Sequence, residues 1–146
     1  MKPFVFGLEK VLNLRKYRED EAKIELGRAI SVLADIETRI RVFGQERARA
    51  AADQYSSGNS LIQIQQYMFY ILRLDNTIIQ LQKEAALAEL KVEEARAAYL
   101  EASRERKVLD KLREKRQKEY LKEMFSAETK TLDDLSNGVR SRGVQV

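Results

Sequence analysis

Between Ile64 and Tyr120 apolar residues return at alternating intervals of three and four. The series is Ile64, Tyr67, Ile71, Leu74, Ile78, Leu81, Ala85, Ala88, Val92, Ala95, Tyr99 and Ala102, then Arg106, Leu109, Arg113, Arg116 and Tyr120. Fourteen of the seventeen are apolar, counting alanine and tyrosine, and the step never breaks, so the stretch reads as one helix with a continuous seam. The intervening residues are mostly Glu, Lys, Arg and Gln, which solvate the other faces. At ~1.5 Å per residue this helix spans roughly 85 Å. It cannot bury its stripe against itself, so a partner helix is required.

The first half of the chain supplies one. Ala22, Leu26, Ala29, Leu33, Ile36, Ile40 and Phe43 repeat the spacing. The frame runs back through Glu19, Arg15, Leu12 and Leu8, and forward through Arg47, Ala50 and Gln54. Between the seams lies Tyr55-Ser56-Ser57-Gly58-Asn59-Ser60. Gly58 suits a left-handed helix end, and Ser60 with Gln63 reads as a capping box. So short a connection makes the helices antiparallel. The expected fold is all-α: a long antiparallel two-helix coiled-coil hairpin over residues 1–136. Its helices cover about 8–55 and 61–125, with a turn at 56–60 and a flexible basic tail at 137–146. A hinge near residue 58 pairs positions summing to roughly 116. That register brings Arg106 near Glu9 as a polar pin and leaves the second helix overhanging beyond about residue 110.

Composition agrees. Of 146 residues, 34% are charged and one is proline, as in coiled coils rather than compact globules. There is no cysteine and no histidine, which excludes disulfides, Cys/His zinc sites and a histidine general base. The carboxylates are scattered over helix surfaces and no glycine loop cradles phosphate, so neither an enzyme nor a cofactor site is expected. The longest apolar run, Tyr67 to Leu72, is too short to cross a bilayer. The first residues meet Glu9 and Lys10 too early for a secretory signal, and a soluble cytosolic protein is expected.

Net charge is +4, unevenly spread. Arg104 to Glu123 holds nine basic and five acidic residues, so the overhang is basic. It offers nucleic acid an electrostatic footprint. The interleaved Glu105, Asp110, Glu114, Glu119 and Glu123 instead favour a solvated face or an acidic protein partner, and no nucleic acid is expected. Near the turn, Leu61, Ile62, Ile64, Tyr67, Met68, Phe69, Tyr70, Ile71, Leu72, Leu74, Ile78 and Ile79 wrap beyond what a two-helix seam can cover. Such an excess marks a protein-binding surface, for another protein or for a second copy.

The opening residues carry a resemblance. Phe4, Leu8, Val11, Leu12, Leu14, Arg15, Glu19, Ala22 and Leu26 follow the pattern of an N-terminal aromatic, then Leu-x-x-Val-Leu-x-Leu-Arg, then Glu, then an Ala/Leu seam. Tyr67-x-x-Tyr70 leading to Leu74 and Ile78, and Arg106-Lys107-x-Leu109 through Leu112, Arg113, Lys115 and Tyr120, continue it. Over about residues 4–125 the chain resembles the FliJ family of the flagellar type III export apparatus. The resemblance implies a two-helix stalk similar to the central stalk of rotary ATPases. Its termini end would enter the hexameric export ATPase FliI, promote ring assembly and help couple hydrolysis to export. It would also reach the cytoplasmic domain of the export gate protein FlhA and escort export chaperones. The protein would then be cytoplasmic, at the inner-membrane export apparatus, and peripheral to the membrane through its partners only. On this basis ATPase-ring contact falls to Arg15, Lys16, Arg18, Glu19, Arg106, Lys107 and Arg113, and gate or chaperone contact to Phe69, Tyr70 and Leu74. The neighbouring reading is the stalk of a virulence type III system. An RNA-binding coiled-coil arm and a self-associating rod are readings of other classes.

Overall fold

A computed structural model describes residues 2–143. Two helices, α1 (Glu9–Gln54) and α2 (Leu61–Gly143), pack against each other as an antiparallel hairpin, and no strand occurs among the described residues. The chain forms two compact units. One comprises residues 19–101 and holds the turn; the other joins the residues up to Arg18 with those from Ala102 onward.

In the turn unit the expected seam is what solvent loses. Leu74, Leu81, Ala85, Ala88 and Val92 of α2 are buried, as is Ala50 of α1. Ala22, Leu26, Ala29, Leu33, Ile36, Ile40 and Phe43 are half-buried. Arg47 departs from the frame: it stays exposed and pairs with Asp75. The capping box closes as its sequence implies. The Ser60 N–H donates to Gln63 Oε1 at 2.8 Å, and the Gln63 N–H donates to Ser60 Oγ at 3.2 Å, satisfying two orphan donors. Gly58 has φ of 96°, the left-handed region a side chain disfavours.

The register differs from expectation. Arg47 meets Asp75 and Ala29 lines one groove with Ala95, pairs that put the fold-back nearer residue 61 than 58, while Glu46 with Tyr70 keeps the expected register. Asn59 gives the reason. Its side-chain amide donates to the carbonyls of Asp53 at 2.7 Å and Gln54 at 3.1 Å, and the Ser56 N–H donates to Asp53 at 3.2 Å. Residues 55–59 therefore curl onto the end of α1, covering its orphan carbonyls, and the reversal moves toward α2.

In the termini unit Leu12 is fully buried, with Phe6, Ala102 and Ser103 also buried. The expected pin between Arg106 and Glu9 is replaced by two others. Glu9 takes Arg113 at 3.1 Å and Arg15 takes Glu105, while Arg106 sits with Asp110 at 2.5 Å. Arg113 and Arg116 lie exposed at the edge of their seam. The overhang also starts later than residue 110, because the lead-in before α1 continues the pairing. Phe4 packs on Tyr120 with ring centroids 5.6 Å apart, Arg116 lies 5.7 Å over the Phe6 ring, and the Tyr120 hydroxyl donates to the Lys2 carbonyl. Beyond Met124 every described residue is exposed.

That overhang is helical to Gly143, where the sequence suggested a helix ending near 125 and a flexible tail from 137. Helix extension adds one hydrogen bond per residue fixed, and neither serine, asparagine nor glycine stops it as proline would. Gly138 does not take up a positive φ, and the Thr129 and Thr131 hydroxyls donate to carbonyls four residues back. Residues 144–146 of the expected tail lie outside the described residues.

Candidate protein-interaction surfaces

Six of the seven residues expected to contact a ring belong to the termini unit, and the packing sorts them. Arg15, Arg106 and Arg113 are held by Glu105, Asp110 and Glu9. Arg15 and Arg106 are partly shielded, with side-chain exposures of 31% and 25%, Arg113 is exposed, and all three act first as positioning groups. Exposed pairs of this kind contribute about 0.2–1 kcal/mol each. Lys16, Arg18 and Lys107 are exposed, and no ion pair is seen for them among the described residues. They are the cations of the set available to an acidic partner. Glu19 is half-buried and opens the turn unit.

The overhang adds a feature that sequence reasoning missed. Leu121, Phe125, Leu132, Leu135 and Val139 keep the 3-4 spacing with Glu128 on the same line, and all five apolar side chains are exposed. Their spacing was visible in the sequence. The falling helix propensity after Phe125 hid it, since without a helix the spacing has no face to define. Here the helix persists, and it presents an apolar line with nothing from α1 opposite it.

In the turn unit the three residues expected to contact a gate or chaperone do not form one face. Phe69 is 60% exposed. Tyr70 is half-buried, and its hydroxyl donates to Glu46 Oε1 at 3.1 Å. That hydrogen bond, aided by burial and the Glu46 charge, raises the Tyr70 pKa above the ordinary tyrosine value. Leu74 is 5% exposed and belongs to the seam, so it supports the face from beneath rather than forming it. The period already put Leu74 on the seam, and a seam residue cannot also be presented outward. Exposed Met68 and Leu72 stand beside Phe69 instead.

Among the described residues no three carboxylates converge as a metal site would need, and no helix is long and apolar enough to cross a membrane.

Comparison with known proteins gives a consistent answer. The family model described as Flagellar FliJ protein matches residues 4–142. The Flagellar FliJ protein of Bacillus subtilis (strain 168) is 24% identical over 136 residues, covering 91% of this chain and 92% of that relative. No solved structure matches the chain.

Proposed function

Since the chain belongs to the flagellar FliJ family and is thus a flagellar export-related component, we propose that it is the non-enzymatic stalk of the export ATPase FliI. In this reading the termini unit inserts into the hexameric ring, promotes its assembly and helps couple hydrolysis to export. The turn unit reaches the gate protein FlhA, and export chaperones bind along the hairpin. The protein works in the cytoplasm, attached to the membrane apparatus through these partners only.

One observation carries the reading. The termini unit pairs an exposed basic set (Lys16, Arg18, Lys107) with a helix continuing unpartnered beyond Met124 and bearing an apolar line. A ring lumen lined by acidic and apolar groups would find both kinds of contact there. Charge steers such an encounter and sets register, while the apolar line supplies hold. Arg15, Arg106 and Arg113 contribute by fixing the hairpin end. The gate reading places Phe69 at the centre of contact, with Tyr70 beside it and Leu74 behind.

The test is a charge reversal in the termini unit beside a single change in the turn unit. Lys16→Glu, Arg18→Glu and Lys107→Glu together should weaken binding to FliI by at least about tenfold with helicity unchanged. Phe69→Ser should leave that binding alone and weaken binding to the FlhA cytoplasmic domain. Undiminished ATPase binding by the triple reversal would remove the basic set from the proposal.

A further inference from the structure

A second apolar stripe runs along α2 inside the turn unit, about a third of a turn round from the seam. Leu61, Met68, Leu72, Ile79 and Leu90 form it, all at least half exposed. Gln65, Lys83 and Ala86 fall on the same line. Counted from Leu61, the steps are four, three, four, seven, four, three and four residues. With those three positions included the steps read the same from either end, with the midpoint between Asp75 and Asn76, and Leu61 with Leu90 and Leu72 with Ile79 are the opposed pairs that are large and apolar on both sides. The stretch is also sparsely charged. Across its whole span, Leu61 to Leu90, the charged residues are Arg73, Asp75, Lys83, Glu84 and Glu89, about half the density of a chain that is 34% charged, and Asp75 already holds Arg47.

We propose that this face docks a second copy of the same chain, the two α2 helices lying antiparallel about a two-fold axis between Asp75 and Asn76. A heptad-spaced stripe takes a helix as its occupant, because knobs and holes repeat at the same interval on both sides. A mirror-symmetric stripe matches itself when one copy is reversed, which closes the pair and leaves no free end to propagate. Leu61 then faces Leu90 of the other copy, and Leu72 faces Ile79. Met68 lies on the stem of Lys83, whose ammonium reaches water. Apart from Asp75, which holds Arg47, the charges at the contact lie toward its ends, where Lys83 and Glu89 of one copy come near Met68 and Ile62 of the other, so like charges do not face each other there. The five stripe side chains with exposed Ile62 and Phe69 bring roughly 70 Å² each. The pair therefore removes about 1,000 Å², near the lower bound for a specific interface. The dimer is accordingly reversible, and it competes with any partner that uses Phe69.

The chain has no cysteine, so single introduced cysteines report the register. Leu61→Cys mixed with Leu90→Cys should give a disulfide-linked dimer on mild oxidation. Neither alone should do so, because antiparallel pairing holds identical end positions about 43 Å apart. Sedimentation of the full unmodified chain should show a concentration-dependent dimer. Leu72→Glu with Ile79→Glu should weaken that dimer on the order of a hundredfold while circular dichroism stays helical. If that variant loses helicity, the cysteine pair decides alone. Efficient crosslinking of Leu61→Cys with itself means a parallel pair and overturns the proposal. A monomer at every concentration overturns it too, and gives the face to a different protein.

Discussion

Leu12 is the large side chain that the termini unit buries completely. Truncating it to alanine removes three carbons, worth about 2.4 kcal/mol at ~0.8 kcal/mol per buried group, before any cavity is counted. Leu-to-Ala changes in cores cost roughly 2–5 kcal/mol, and a two-helix pair can collapse around the gap more easily than a globular core. The expected loss is therefore about 2–3 kcal/mol. At a factor of ten per 1.4 kcal/mol, the open form of this unit should rise by roughly 30–140-fold. Amide hydrogen exchange is the suitable assay, because it reads opening segment by segment. Protection should fall by that factor around residues 9–15 and 102–113, and far less at Leu81 to Val92. Leu14→Ala is the control: that side chain is 47% exposed, so its loss should be under about 1 kcal/mol. Equal effects from Leu12→Ala and Leu14→Ala, or unchanged protection at the termini unit, would refute the packing described for it.

Two further outcomes follow from single residues. Gly58→Ala meets no neighbouring atom but forces a side chain onto a φ of 96°, so it should cost about 1 kcal/mol. Gly44→Ala, in helical backbone with equally open space, should stabilise by about 0.5–1 kcal/mol, and thermal melts of the two should shift in opposite directions. Tyr70 should ionise above the ordinary tyrosine value, since its hydrogen bond to Glu46 favours the neutral phenol. The sign is that of a raised pKa: the stabilisation is complete below the ordinary value and is lost as pH rises through the folded-state value. The phenolate absorbance difference between wild type and Tyr70→Phe measures the midpoint, and an ordinary or lower midpoint contradicts the Glu46 contact.

The seam was legible in the sequence almost residue by residue, because a 3.5 period names a helix face without any tertiary information. So was the capping box, which depends on residues three apart. Asn59 was a different matter. Its side chain sets the register by reaching carbonyls five and six residues back, a contact that no spacing rule contains. Phe4 and Phe6 read as an irregular lead-in for a similar reason, since their partners Tyr120 and Arg116 are over a hundred residues away. The end of α2 was misjudged because Ser136, Asn137 and Gly138 weaken a helix without stopping it. In the candidate sites, packing separates residues that the sequence lists together. Arg113 was read as a ring contact yet is committed to Glu9, and Leu74 was read as a surface contact yet is committed to the seam. A sequence lists cations and apolar groups; only packing decides which are already occupied.

The central claim is that this chain is the stalk of the flagellar export ATPase. ATP hydrolysis and ring assembly by FliI from the same source, measured with and without the chain, tests it most directly. A stalk should give faster hydrolysis together with a shift from monomers to hexamers. Unchanged hydrolysis and assembly, with the added chain folded and helical, would contradict it.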